Sequence, residues 1–307
     1  MKLIITLFII VLITSAFAIS ENAGTSGMTF LKMNFSPSAC ALGGATVGYA
    51  VGPDGFLSNP AAMSFERQTS AGTSFGVLYV GLTAGDVVAQ RGFSFGKLGL
   101  AFRFLTYGSM DKTDSNGDIL GSFGATDLAV SLAYSREIAE HISIGFAPYF
   151  AYSSIDTFSA MALGADIGAL YKFDHGRGRL GFVLKNFGAQ ISAFVDTTDP
   201  LPMTTSLGAS YRLKGLPLFA IAQADWAVDA GFSSGFGIEI VQLKPLYLRV
   251  GYRIRERITG DLADGETLDG LTAGFGLRYS NIWADYSFEH YGVLGTTHKF
   301  GVAFDGF

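Results

Sequence analysis

The stretch Leu246-Tyr247-Leu248-Arg249-Val250-Gly251-Tyr252-Arg253-Ile254 decides the fold. Leu246, Leu248, Val250, Tyr252 and Ile254 fall on one side of an extended chain, and Tyr247, Arg249, Gly251 and Arg253 on the other, which is the two-residue period of a β-strand. Leu271–Tyr279, Ile282–His290, Leu98–Phe104 and Leu163–Tyr171 repeat the pattern. A soluble β-sandwich also alternates, but its second face is richly charged. Here that face is mostly Gly, Ala, Ser and Thr with an occasional Arg or Asp, as in the lumen of a membrane barrel. On Leu246–Ile254, the expectation is that Leu248, Val250 and Tyr252 face lipid and Arg249 and Arg253 the lumen, with Gly251 tolerating serine.

Composition agrees. Of 307 residues, 49% are apolar and only 15% charged, against about 25% charged in ordinary soluble domains. There are 40 glycines, 27 phenylalanines and 13 tyrosines. Beyond the N-terminus no apolar run approaches the roughly 18 residues of a helical span. Net charge is −5, without a basic stripe, so nucleic-acid binding has no electrostatic footprint.

Residues 1–18 carry Lys2, an apolar run from Leu3 to Ile13 and the ending Ala16-Phe17-Ala18, the layout of a cleaved secretory signal peptide. Cys40, the single cysteine, lies far beyond that site and leaves no intrachain disulfide. From Thr69 onward about fourteen strands are predicted: 69–80, 84–95, 98–108, 125–136, 142–154, 158–173, 179–191, 204–213, 217–228, 232–243, 246–256, 269–280, 282–291 and 296–307. Short connections alternate with longer polar ones at 109–124, 192–203 and 257–268, as in outer-membrane barrels with tight periplasmic turns. Tyr134, Tyr171, Tyr211 and Tyr279 recur beside the short turns, each near a basic residue, and suggest an aromatic girdle. Residues 19–68 show no such period, yet Phe30, Leu31, Phe35, Phe56 and Leu57 make them too apolar for disorder. The reading is a closed antiparallel transmembrane β-barrel at 69–307, in the cell outer membrane, with 19–68 as a plug. Asn59-Pro60 is the turn that hands the plug to the first strand.

The segment Ser36-Pro37-Ser38-Ala39-Cys40-Ala41-Leu42-Gly43-Gly44-Ala45, followed by Ser58-Asn59-Pro60-Ala61-Ala62, resembles the opening of the PorV/PorQ family, itself similar to FadL-type fatty-acid transporters. Tyr107-Gly108 with Gly121-Ser122-Phe123-Gly124-Ala125-Thr126-Asp127, and Leu201-Pro202 with Leu207-Gly208-Ala209-Ser210-Tyr211, are similar to later family stretches. The resemblance implies a fourteen-stranded FadL-like barrel with an N-terminal hatch, working as an accessory of type IX protein secretion with protein partners in that complex. One departure concerns the C-terminus. Phe300, Val302 and Phe304 are out of phase with the final Phe307, and only a bulge at Asp305-Gly306 would restore the phase.

No motif argues for an enzyme. Gly231-Phe232-Ser233-Ser234-Gly235 matches G-x-S-x-G but opens a strand with no helix after it. Asp111, Asp114, Asn116 and Asp118 lack calcium-loop spacing, and His175 stands in a turn with no second ligand near it, so neither a metal nor a cofactor is assigned. Arg249, Arg253, Arg255 and Arg257 form the one basic row. They either pair with lumen acids such as Asp166, Asp285 or Glu289, or select anionic cargo. Two functions remain: the export accessory, and a channel for hydrophobic small molecules passing around the plug. The apolar residues Ala193, Phe194, Val195, Leu201 and Met203 in 192–203 favour the first, as a partner surface.

Overall fold

The computed structural model describes residues 22, 24–49, 52–65, 69–241, 245–254 and 268–306. The signal-peptide expectation for 1–18 lies outside them, as do Arg255, Arg257 and Phe307. Fourteen strands follow one another around a closed ring: β1 Thr69–Val77, β2 Thr83–Phe93, β3 Gly96–Thr113, β4 Ile119–Ala139, β5 Ile142–Ile155, β6 Phe158–Phe173 and β7 Gly178–Ser192, then β8 Thr204–Arg212, β9 Leu218–Ala227, β10 Gly231–Ile240, β11 Leu246–Ile254, β12 Leu271–Tyr279, β13 Ile282–His290 and β14 Thr296–Asp305. Each is antiparallel to its chain neighbours, and β1 closes on β14 from Ser70 opposite Asp305 to Val77 opposite His298. Closure leaves no unpaired edge in the hydrocarbon, the condition a spanning sheet must meet.

The pleat sorts side chains as the alternation required. Leu98, Leu100 and Phe102 of β3 point outward while Ala101 and Arg103 are buried inside. Val250 is 55% exposed, and its neighbours Arg249 and Gly251 are buried. An exterior this apolar all round is stable only against lipid. Among the described residues no helix is long and apolar enough to cross a membrane. At the short-turn end Tyr134 lies 6.5 Å from Phe95, and Tyr171, Phe173 and Tyr211 stack in series at 6.2 and 6.1 Å.

Two expectations need correcting. Residues 109–124 are not a loop. β3 and β4 run to Thr113 and from Ile119, pairing with each other beyond the ends of β2 and β5, so the hairpin 107–124 rises clear of the ring. Its polarity suits a ribbon in water, and Ser115-Asn116-Gly117 is the hairpin signal that its polar composition obscured. Second, the turn between β2 and β3 is Ser94-Phe95, two residues earlier than the expected Gly96-Lys97. At the C-terminus the expected change of phase to Phe307 lies outside the described residues, and β14 itself is regular. Its pairing is continuous through Asp305, with Phe300, Val302 and Phe304 outside, and Asp305 turned inward to Arg278 (2.9 Å) and the Trp283 indole N–H (2.9 Å).

The N-terminal segment contains one α-helical turn, Pro37–Cys40, and 3-10 turns at Thr29–Lys32, Gly55–Leu57 and Pro60–Phe65. It lies within the ring. The Pro37–Cys40 turn packs on β12–β14, and Pro60–Phe65 packs on β3–β6. Phe30, Leu31 and Phe35 are buried beside Leu78, Leu105 and Leu201 at the long-loop end. Phe56 and Met63 meet Val88, Ala101 and Ala133, and Leu42 and Tyr49 meet Ile221.

Candidate functional site

The predicted basic row does not behave as one. Arg249 has no exposed side-chain surface, and its guanidinium is shared between Glu239 on β10 (3.0 Å) and Asp285 on β13. A fully buried cation between two carboxylates is a structural tie and is not free for cargo, which corrects the selectivity reading at this position. Asp285 is one of the acids the sequence offered as a partner. Asp166 instead accepts the Asn186 amide N–H at 2.9 Å, and Glu289 lies 3.7 Å from Lys299. Arg253 does reach the lumen space, where it binds Asp225 (3.1 Å) and Ser233 (3.2 Å).

Asn59 and Pro60 hold the segment to the wall instead of handing it directly to β1. Asn59 is fully buried, and its amide donates to the carbonyls of Val47 (2.9 Å) and Ala169 of β6 (3.2 Å). Its side-chain oxygen accepts the Ala61 N–H (3.0 Å), capping the 3-10 turn that Pro60 begins. Proline suits a first helical position, where its missing N–H would have no partner. This helical turn intervenes between Pro60 and β1, a length the Asn-Pro pair alone did not reveal.

Between the segment and strands β3 and β7–β11 lies a cavity of about 350 Å³. Met33, Phe35, Val47 and Leu57 give it an apolar side that continues into the buried cluster at the long-loop end, which Met33 and Phe35 also join. Its other side is cationic. Arg253 is neutralised by Asp225, and Lys32 by Asp229 at 2.5 Å. Arg103 and Lys185 make no ion pair with any described residue. The Lys185 ammonium donates to the Leu57 carbonyl (2.5 Å), and the buried Arg103 Nε has no partner. Sequence reasoning missed both. Arg103 could have been found as the charge on the inward phase of Leu98–Phe104. Lys185 could not, because an irregularity in β7 places it. Ala165 pairs with Phe187 but Ile167 with Leu184, and Asn186 has φ 58°, so Lys185 and Asn186 both face the cavity although consecutive.

The expected partner surface at 192–203 is largely turned inward. Leu201 is buried, Phe194 packs on the lumen cluster, and of the five apolar residues only Val195 stands strongly exposed. Apolar side chains of a connection that crosses a barrel mouth gain more by covering the lumen than by facing water. Gly231–Ile240 is a strand throughout, and the Ser233 hydroxyl is engaged by Arg253. The Asp114 carboxylate accepts the N–H groups of Asn116 and Asp118 (both 2.9 Å), bonds that hold it below the usual carboxylate range. The Asp111–Asp118 cluster is thus the tip of the projecting hairpin.

No family model matches the chain, and no curated protein matches it. Among solved structures it is similar to the Pseudomonas putida toluene transporter TodX, at 14% identity and TM-score 0.63, covering 96% of this chain and 100% of that one. A TodX mutant described as a monoaromatic hydrocarbon channel aligns at 13% identity and TM-score 0.66, over 88% of this chain and 98% of that one. At such identities the likeness is one of fold: this chain is a closed fourteen-stranded antiparallel barrel of the outer-membrane kind.

Proposed function

We propose that the protein is an outer-membrane channel admitting hydrophobic small molecules that carry an acidic group, with residues 24–65 acting as a plug that they must pass. The cavity carries this reading. It is bounded on one side by Met33, Phe35 and Leu57, continuous with the apolar cluster under the long loops. On the other stand two cations, Arg103 and Lys185, with no carboxylate in ion-pair contact among the described residues. An apolar body would displace water from the first face, and an acidic head would satisfy the unpaired cations of the second. The fold likeness to a toluene transporter supports passage of hydrophobic molecules. The PorV/PorQ resemblance supports instead an export accessory, but the apolar residues expected to meet a partner mostly cover the lumen, so we prefer the channel.

The test is uptake into proteoliposomes of a fluorescent hydrophobic carboxylic acid and of its methyl ester. Charge-assisted hydrogen bonds contribute about 1.5–3 kcal/mol, so Arg103→Gln with Lys185→Gln should slow the acid by about tenfold or more and spare the ester. Equal effects on the two compounds, or none on either, would defeat the assignment.

A further inference from the structure

Around the ring from this cavity, a space of about 20 Å³ separates the N-terminal segment from β1, β2, β13 and β14. It is large enough for one water-sized occupant. Asp54 of the segment and Ser74 and Asp86 of the wall face it. Asp86 is 1% exposed, yet among the described residues neither of its carboxylate oxygens has a hydrogen-bond partner of good geometry, the hydroxyl of its cross-strand neighbour Ser74 being the one donor at hand. A carboxylate buried in this way cannot remain an isolated anion without a large cost.

The charged groups on the packed elements compensate that anion only in part. β1 contributes only the neutral Thr73 and Ser74. Arg103 of β3 is opposite Asp86 in register and its charge acts on the carboxylate, but from beyond ion-pair distance among the described residues. β13 brings Asp285, which is already bound to Arg249 of β11 together with Glu239 of β10. β14 offers Gly301, Val302 and Ala303 here, while its Lys299 is engaged elsewhere with the Asn34 carbonyl and the Cys40 thiol. Two guanidinium groups therefore face four carboxylates. Among the described residues no three acidic, histidine or cysteine side chains converge to hold a metal ion.

We propose that Asp54 and Asp86 form a buried proton site, a carboxyl–carboxylate pair sharing one proton across the contact between segment and wall. The shared proton fastens the segment to β1–β2 under mildly acidic conditions, and its loss as the pH rises sets two carboxylates against each other and loosens the contact. Burial first, and the neighbouring Asp86 second, push the Asp54 carboxyl up to about 7. Its value in an unfolded chain is about 3.9, so the native protein binds the extra proton between the two values. The stabilisation is complete below about pH 4 and is lost as the pH rises through about 7. The latch requires that the segment sit in the lumen and is independent of what the barrel conducts.

Planar-bilayer recordings of the full chain from about pH 5 to about pH 9 test it. Wild-type conductance should rise with a midpoint near 7, following a protonated fraction that falls about tenfold from one unit below the midpoint to one unit above. Asp54→Asn and Asp86→Asn, whose amides can donate where the shared proton did, should stay closed across the range. If Asp86→Asn fails to assemble, Asp54→Asn changes no wall residue and is decisive alone; folded barrel is scored by heat-modifiable gel migration. A flat wild-type profile, or an unchanged rise in Asp54→Asn, overturns the proposal.

Discussion

Gly251 of β11 and Gly43 of the N-terminal segment touch backbone to backbone: a Cβ on Gly251 would collide with the Gly43 amide nitrogen and the Leu42 carbonyl carbon. Gly43 cannot retreat easily. Its N–H donates to the Thr272 hydroxyl (3.0 Å), which in turn donates to the Ala41 carbonyl (3.1 Å). Its own φ of +65° is one that side chains rarely adopt.

The first prediction reverses the tolerance expected of Gly251 from its place on a polar face. Gly251→Ser should destabilise by about 1–3 kcal/mol, the range for overpacking against a backbone that does not yield. Urea unfolding in lipid vesicles measures it. A neutral result would mean that the segment does not rest on β11.

Val250, one residue away, faces the other medium. Val250→Arg should cost about 2–4 kcal/mol if the position lies near the bilayer midplane. The same unfolding measurement applies, and Val250→Ile should be close to neutral. An arginine accepted without loss there would place this face in water.

Arg249 is expected to act on stability rather than on cargo. Arg249→Met leaves the buried Glu239 and the partly buried Asp285 without their cation and should cost about 3–5 kcal/mol. Adding Glu239→Gln and Asp285→Asn to that variant should recover most of the loss. If Arg249→Met instead keeps full stability and changes only the selectivity of transport, the tie is not structural.

Deleting residues 24–60 should leave an inserted barrel with raised conductance to small solutes, because the deletion removes Phe30, Leu42 and Phe56 from the lumen. Planar-bilayer recording shows the increase, and limited proteolysis of the intact protein should cut 24–60 slowly. Unchanged conductance, or ready cleavage in the intact protein, would locate the segment outside.

Much of the wall was legible because a strand in a barrel writes its two environments into alternate residues. Leu246–Ile254, Leu271–Tyr279 and Ile282–His290 each needed only their own sequence to be assigned, and β6 has the bounds, Phe158–Phe173, that its sequence predicts. It failed at the hairpin 107–124, where both faces meet water and the alternation disappears although the strands continue. It also could not place Lys185, since the irregularity at Asn186 shifts the phase by one residue.

The sequence by itself determined which residues face lipid, the approximate strand number and the apolar character of the N-terminal segment, because these depend on local period and composition. Only the tertiary structure decided what meets inside. Arg249 and Arg253 share one phase of one strand, yet one is locked between Glu239 and Asp285 while the other borders a cavity. Gly251 looks replaceable until Gly43 is laid across it, and Asp54 comes to border the same small space as Asp86 only after the chain has turned back into its own ring. These contacts join residues tens to hundreds of positions apart. Their partners are set by closure and register, which no local pattern encodes.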